Sequence, residues 1–562
     1  MPNDLAREVI RTWERLNTDR GPWLEHWQEC SNYMLPGRSD YIAERTPGMK
    51  LMQHVYDGTP IWANDQFAAG MHSMLTSPTL PWFGMKAQED RLNEIDAVAR
   101  WLDDTSNAMY SVFNGTKHNF AAQSHEFYLD LGNIGTGIMA VLESPASGIL
   151  FSTRHLKECV IAENDEDRVD TLTRRWNWTA RQAFAKWGPA AGEKVAKAVE
   201  TNPDQTFTFL HEVKPRRDRN VMRNDRRNKP FRSVYVCLSD TTVIDEGGFD
   251  EFPYLAARFS KRSGEVYGRG PGMTALPDVK MLNEMVKTTL KSAQKIVDPP
   301  LMVPDDGFLV PVKTVPGSLN YFRPGTRDRI EPIQTHGDPK LGLDMINALR
   351  QQITRAFYVD MLLMPTDPAD PASAGKGVTA TFTLRQRDQH FQQLSPMLAR
   401  LSSEFLGPLI DRTFAIMWRQ SVARRFGPGS PLTPPPPQLA GAALRVEYLS
   451  PIAVAQRTSQ LDVVARLIQT AQALGTVDQA APKVLDADAI LRLTARDLHA
   501  PAIALKSPEQ VQAERQAEQQ AQAAMMQEQQ LGTVAKAAKD GSAAIGNLAG
   551  LQQPAAPAQA AA

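Results

Sequence analysis

The chain has 562 residues, enough for more than one packed core, and its 42% hydrophobic and 22% charged content excludes a wholly disordered protein. Its 62 basic and 63 acidic side chains leave a formal charge of -1, so any nucleic-acid contact must come from local patches rather than from an overall basic field. Cys30, Cys159 and Cys237 are far apart with no CxxC pair, the charged N-terminus has no apolar signal segment, and no apolar run approaches the roughly 18 residues a bilayer needs; a soluble protein with no disulfide framework, zinc site or membrane contact is expected.

Leu5, Val9, Ile10, Trp13, Leu16, Trp23, Leu24, Trp27 and Tyr33 recur at helical spacing and predict two helices over 4–35, parted at Gly21-Pro22, with the tryptophans as core packing. Helices are expected at 61–75, 95–113 and 118–130, divided by the turn signals Thr76-Ser77-Pro78 and Asn114-Gly115. Gly132, Gly135 and Gly137 lead into Ile138–Leu142, read as a first strand. Further strands are expected at 169–178, 206–213, 232–238 and 242–245, which makes 1–272 an α+β body with N-terminal helices. Between two of these strands, Lys214–Arg232 holds nine basic residues against Asp218 and Asp225. It reads as a cationic hairpin tip bearing Arg216, Arg217, Arg226 and Arg227.

Met273–Val297 carries apolar residues at helical spacing and ends sharply at Asp298-Pro299-Pro300; at 1.5 Å per residue it predicts a rod about 37 Å long. A turn-rich stretch, 298–338, separates it from a second helical pattern at 341–364. Residues 365–378, rich in proline, glycine and small polar side chains, predict a loop. The longest helical pattern follows, 379–418, with Pro396 and Gly407-Pro408 expected to kink or interrupt it. Four consecutive prolines, Pro434–Pro437, make 427–438 an exposed extended connection and a sub-domain boundary. Segments 452–475 and 486–498 read as helical, 507–530 as a polar helix that needs bundling, and 536–562 as a disordered tail.

No catalytic constellation assembles. Ala374-Gly375-Lys376-Gly377 lacks the first glycine and the Ser or Thr of a phosphate-binding loop, and Pro271 interrupts the glycines of Gly268-Arg269-Gly270-Pro271-Gly272. His118 and His125 lie seven apart without a carboxylate to complete a metal set, the adjacent acids Asp103-Asp104 and Asp305-Asp306 read as solvated, and no GxSxG occurs. Neither a catalytic residue, a cofactor nor a metal is expected.

Val266-Tyr267-Gly268-Arg269-Gly270-Pro271, then Leu276-Pro277-Asp278-Val279-Lys280, Leu282-Asn283 and Pro299-Pro300, follow in an order that resembles the head-to-tail connector, or portal, family of short-tailed bacteriophages. Upstream, Leu35-Pro36-Gly37-Arg38, Asp57-Gly58-Thr59, Ala68-Ala69-Gly70, Gly247-Gly248-Phe249, Pro253-Tyr254 and Arg258-Phe259 are similar to the same family, over roughly residues 5–480 in all. Val378-Thr379-Ala380-Thr381 departs from it, with threonine where the family has glutamate at 381.

The resemblance implies a predominantly helical α+β portal fold: a wing (1–272), stem helices (273–364) interrupted by a clip (298–338), a tunnel loop (365–378), a long kinked helix returning to the wing (379–451) and a helical crown (452–535). It further implies a closed homo-oligomeric ring of about 12 copies at one capsid vertex, since a heterologous contact closes when its rotation does. The ring would conduct double-stranded DNA non-specifically during packaging and ejection. Its other partners would be the major capsid and scaffolding proteins, the terminase large subunit and a tail adaptor, with assembly in the host cytoplasm and final residence in the virion.

A conduit calls for weak, repeated phosphate contacts rather than base readout. Lys376 is the loop candidate. Lys280, Lys287, Lys291 and Lys295 recur along one helical face that either lines the channel or is simply solvated. Arg323, Arg327 and Arg329 are candidates for adaptor contact, DNA contact or solubility, and the 214–232 tip for DNA binding, a subunit contact or an exposed loop. The competing readings are a minor capsid or scaffold protein, which the Gln- and Ala-rich stretch after 507 allows, and a packaging ATPase or nuclease, whose motifs the sequence does not supply.

Overall fold

The computed structural model describes residues 2–302 apart from 43, 44, 47, 146 and 224, together with 331–332, 339–362, 394–448 apart from 440, 490–491, 510–511, 513–523 and 525. The chain divides into a large unit, Met1–Gln88 with Asp104–Ser459, and a second, Glu89–Asp103 with Gln460–Ala562. In the second, Asp90–Glu94 is a 3-10 turn and residues 513–523 are helical. The expected segments 452–475, 303–330, 365–378, 379–393 and 536–562 lie outside the described residues. The class is α+β with helices predominating.

Helices α1 (Pro2–Asp19) and α2 (Gly21–Met34) part where expected, and the break has a use. It turns Arg20 inward, where its guanidinium donates to the carbonyl oxygens of Leu156 and Cys159 at 2.8 Å. Helix α3 (Thr59–Leu75) follows, then strand β1 (Phe83–Ala87), α4 (Asp96–Asn114), α5 (Phe120–Ile134), β2 (Thr136–Ser144), β3 (Gly148–Arg154), β4 (Cys159–Glu163) and β5 (Val169–Thr179). Two short helices, α6 (Ala180–Trp187) and α7 (Glu193–Thr201), lead to β6 (Thr206–Pro215), β7 (Phe231–Cys237), β8 (Thr242–Phe249) and β9 (Tyr254–Arg258).

Among the described residues all strand pairs are antiparallel, with one sheet of order β3-β2-β9 and another of order β4-β5-β6-β7-β8. Alternation along β6 sends Phe209 to one face and Leu210 to the other, so the larger sheet is apolar on both sides. Helix α1 covers one face through Ala6 and Val9 against Leu210, Val234 and Val236. Helices α6 and α7 cover the other through Ala183, Val195 and Ala198 against Trp176 and Phe209. Strands β1, β3 and β4, and these two short helices, were not anticipated, whereas β9 falls on Pro253-Tyr254 and Arg258-Phe259, which the family resemblance reads as the strand leading into the 266–271 motif. Elements of eight or nine residues hold too few periods for a pattern, and β1 is fixed by antiparallel pairing with β12 (Leu444–Tyr448), far along the chain.

Helix α8 (Pro271–Val297) has 27 residues, a rod about 40 Å long. The two-residue strands β10 (Leu301–Met302) and β11 (Glu331–Pro332) pair after it. Helix α9 (Pro339–Ala356) stops short of the expected 364, because Tyr358 adopts a left-handed backbone (φ 57°) before a last turn, α10 (Val359–Leu362). Pro396 does not interrupt the helical residues 394–401, whereas Gly407-Pro408 acts as expected. Pro408 lacks an N–H, and the preceding turn, Ser402–Leu406, widens into a π-helix with Gly407 N–H donating to Ser402 O before α11 (Gly407–Ala423) resumes. The proline-rich connection is pinned rather than wholly exposed: Leu432 is buried and its N–H donates to Ser421 Oγ at 3.0 Å. Among the described residues no helix is long and apolar enough to cross a membrane.

Candidate functional site

Helices α8 and α9 pack as a pair that carries exposed apolar side chains, and the pair is fastened to the body at its root. Gly268, Gly270 and Gly272 lie against the end of α5: a Cβ on Gly270 would sit 2.6 Å from the Gly135 nitrogen, and one on Gly272 would sit 2.5 Å from the Asn133 oxygen. Gly135 itself adopts φ 76° as the residue closing α5, and any side chain there would strike the backbone of Arg269 and Gly270. The glycine run excluded above as a nucleotide fingerprint is therefore a backbone-to-backbone contact that aims α8. Tyr267 adds an aromatic plug, edge-on to Trp27 at 5.0 Å and tilted to Trp23 at 5.8 Å.

Higher up, the segment before α3 brackets both rods. Asn283 Oδ1 accepts the Tyr56 N–H at 2.7 Å, and its amide donates to His54 O at 2.9 Å. Asp57 accepts the Thr59 N–H at 2.8 Å just before α3 and binds Arg350 of α9 through Oδ2 at 2.8 Å. These bonds hold the Asp57 carboxyl below its ordinary value despite the opposing effect of burial. Gly70 lies under α10, where a Cβ would meet Leu362 Cβ at 2.8 Å. Arg350 and the two-sided role of Asn283 were missed from sequence; the signal was present in the quoted Asp57-Gly58-Thr59 and Leu282-Asn283, whose partners lie hundreds of residues away.

Toward its far end the rod leaves the body, and its exposed apolar side chains begin at Met281. Met281, Leu290 and Ile296 are exposed, Val297 is 86% exposed, and Leu343 and Met345 of α9 are exposed as well. Of the predicted lysines, Lys280 pairs with Glu29, and Lys287 pairs with Glu284 at 3.0 Å while lying 5.9 Å from the Tyr56 ring. Lys291 and Lys295 are exposed and have no ion-pair partner among the described residues. The face is thus half neutralised near the body and cationic toward its far end. Lys376, Arg323, Arg327 and Arg329, and the stretch Val378–Thr381, lie outside the described residues.

The 214–232 segment is the predicted hairpin connection, joining β6 to β7, but its charge is largely spent. Lys214 and Arg232 share Glu8 and the buried Glu212; Arg216, its side chain 6% exposed, pairs with Glu246 at 3.2 Å; Arg226 reaches Asp245 at 2.9 Å; Arg227 lies 3.8 Å from Glu246; Lys229 binds Asp250 at 2.8 Å. Net charge counted along the sequence overstated the patch, because its acids lie outside the segment, in α1, β6, β8 and the residue after β8. Arg217, Arg219 and Arg223 have no acidic partner among the described residues.

Arg258 closes β9 at 1% exposure and donates to Glu404 of the π-turn at 2.7 and 3.1 Å, to Asp167 O at 2.9 Å and to Glu163. Residues 6–505 match the family model described as bacteriophage head to tail connecting protein.

The chain belongs to that family.

The connector is 32% identical over 497 residues to the probable portal protein of Bordetella phage BPP-1, covering 85% of this chain and 84% of the relative. It is 29% identical over 499 residues to the portal protein of Salmonella phage epsilon15, with the same shares covered. Among solved structures, a chain from the neck of an empty gene transfer agent (GTA) particle computed with C6 symmetry overlaps at a TM-score of 0.34 and 10% identity, over 82% of the connector and 98% of that chain; nothing further rests on this overlap. The residues that carried the family resemblance in the sequence now have physical reasons. They are the glycine contact aiming α8, the Asp57 bracket, the Gly70 approach to α10, the Arg258 cluster, and Arg38, which pairs with Asp130 and Glu126.

Proposed function

We propose that the connector assembles as a closed ring of about 12 copies at one vertex of the phage head, with the α8–α9 pairs side by side as a stem around a passage for double-stranded DNA. The observation that carries this reading is the pair itself: a rigidly rooted double rod that leaves six large apolar side chains, Met281, Leu290, Ile296, Val297, Leu343 and Met345, in water. Exposed apolar surface of that kind marks a protein–protein contact. Neighbouring stems cover these side chains, while the face bearing Lys291 and Lys295 turns to the passage.

On this reading 1–272 is the wing, 298–338 the clip, 365–378 the tunnel loop and 452–535 the crown. Lys291, Lys295 and Lys376 give one soft phosphate contact each per subunit, so that DNA slides instead of sticking. Lys280 and Lys287, each held by a glutamate, contribute less. Arg323, Arg327 and Arg329 meet the tail adaptor, and the capsid, scaffolding and terminase large subunit dock on the ring during assembly in the host cytoplasm. The work is positional, with no catalytic step and no cofactor.

Native mass spectrometry of the purified full chain tests the reading. A single assembly of about 12 copies of the 62.3 kDa chain supports it. A stable monomer at every concentration, or nucleotide hydrolysis by the purified chain, overturns it.

A further inference from the structure

Away from the stem, the large unit leaves one charged projection and one carboxylate-rimmed hollow without a role. The projection is the end of the β6–β7 connection. Its base is neutralised within the chain, but Arg217, Arg219 and Arg223 point into solvent without acidic partners among the described residues. Between them Val221 and Met222 are exposed, Met222 to 93%. The turn is nonetheless ordered: Asn220 Oδ1 accepts the Met222 N–H at 3.0 Å, and Asn228 Oδ1 accepts the Asn220 N–H at 2.9 Å. A large apolar side chain held out on a fixed turn and flanked by cations has the make-up of an interface anchor.

The hollow, about 710 Å³, lies between the start of α2, the end of β4 and residues 264–269. Its apolar and aromatic lining is Leu16, Trp23, Ile161 and Tyr267, and Asp19, Glu163 and Glu265 border it together with Arg269, whose guanidinium lies 5.0 Å from the centre of the Trp23 ring. A second hollow sharing Pro22 and His26 adds Glu25 and Glu29. Glu163, Glu265 and Glu29 are already paired, with Lys261, Arg269 and Lys280. Asp19 and Glu25 are exposed and have no cationic partner among the described residues. The two features therefore complement each other: unspent cations around an apolar anchor, and unspent carboxylates around an aromatic lining.

We infer that the β6–β7 tip of one subunit docks into this hollow on a second copy of the chain, with Met222 entering beside Trp23 and the tip arginines facing Asp19 and Glu25. Methionine sulfur packs favourably on aromatic rings, and a rim of opposite charge fixes the register. Within one chain Met222 is 93% exposed and so is not seated in the hollow, which leaves the hollow to a second copy. It is heterologous, each subunit giving a tip and receiving one, which is the type of contact that closes a ring. The tip also carries Asp218 and no aromatic side chain, which favours this occupant over a nucleic-acid strand.

The inference rests on the ring reading, and the test separates the two. Cys30, Cys159 and Cys237 are buried, so introduced thiols can be read against a quiet background. The full-length Met222→Cys/Asp19→Cys variant, oxidised after assembly, is expected to give a ladder of disulfide-linked multimers on a non-reducing gel, while each single variant gives none. Arg219→Glu/Arg223→Glu should raise the concentration needed for half-assembly at least about tenfold, and adding Asp19→Arg/Glu25→Arg should restore it. Intact rings with no ladder and no rescue overturn the tip contact and leave the ring standing; absence of rings in the unsubstituted chain overturns both. Loss of duplex-DNA binding in the arginine variant with unchanged assembly assigns the tip to DNA instead.

Discussion

Arg258 offers the sharpest energetic test of how the body is held together. Its guanidinium, 1% exposed, is shared among Glu404 on the π-turn, Glu163 at the end of β4 and the carbonyl oxygens of Asp167 and Val266. Replacing it with methionine keeps most of the apolar stem but strips Glu404 of its cation, leaving that carboxylate with the residue-258 backbone N–H at 2.9 Å; Glu163 retains Lys261. Removing one partner of a buried pair costs about 3–5 kcal/mol, because the remaining charge stays desolvated. Replacing both partners with apolar side chains removes that orphan, so Arg258→Met/Glu404→Leu should cost clearly less than the two single losses combined, with a coupling above about 1 kcal/mol. Urea unfolding followed by tryptophan fluorescence measures all four corners of the cycle. Single losses below about 1 kcal/mol, or strict additivity within about 0.5 kcal/mol, would refute the claim that this cluster ties the π-turn to both sheets.

Other outcomes follow from the same geometry. Gly270→Ala drives a Cβ into the Gly135 backbone and should cost more than about 3 kcal/mol in thermal unfolding, whereas Gly37→Ala, with nothing within 4 Å, should be neutral or slightly stabilising. Asp57→Ala removes both the bond to the Thr59 N–H and the Arg350 bond, and should lower stability by about 1–3 kcal/mol with faster amide exchange in α9. His211 is fully enclosed between Tyr254 Oη at 2.8 Å and Ser233 Oγ at 2.9 Å, and burial holds its pKa well below the ordinary 6.5. The unfolded chain takes up a proton there as pH falls below 6.5 and the folded chain does not, so stability is full above 6.5 and declines beneath it by up to about 1.4 kcal/mol per pH unit. In His211→Gln that part of the pH slope should vanish. Lys291→Glu/Lys295→Glu should leave subunit stability within about 0.5 kcal/mol of the unsubstituted chain and flatten the salt dependence of duplex binding.

The helices of the N-terminal arm and the α8 rod were legible because their apolar spacing runs for many turns, and Gly21-Pro22 and Asp298-Pro299-Pro300 mark their ends. The β6–β7 hairpin was legible from its two apolar strands. What escaped was set by distance along the chain. Strand β1 exists because β12 pairs with it, the cations of the tip base are cancelled by Glu8 and Glu246 from other elements, and Arg350 acquires its role from Asp57. The break at Tyr358 carries no proline or glycine and so left no local trace. Conversely, the glycines at 268, 270 and 272 were visible from the outset, and their reason appeared when the backbone of α5 was found against them.

Electron microscopy of the assembled connector at side-chain detail bears most directly on the central claim. It should show a closed ring in which Met281, Leu290, Ile296, Leu343 and Met345 are covered by adjacent stems while Lys291 and Lys295 face an axial opening that admits duplex DNA. Stems whose apolar side chains face that opening, or a ring built without contact between α8–α9 pairs, would contradict it.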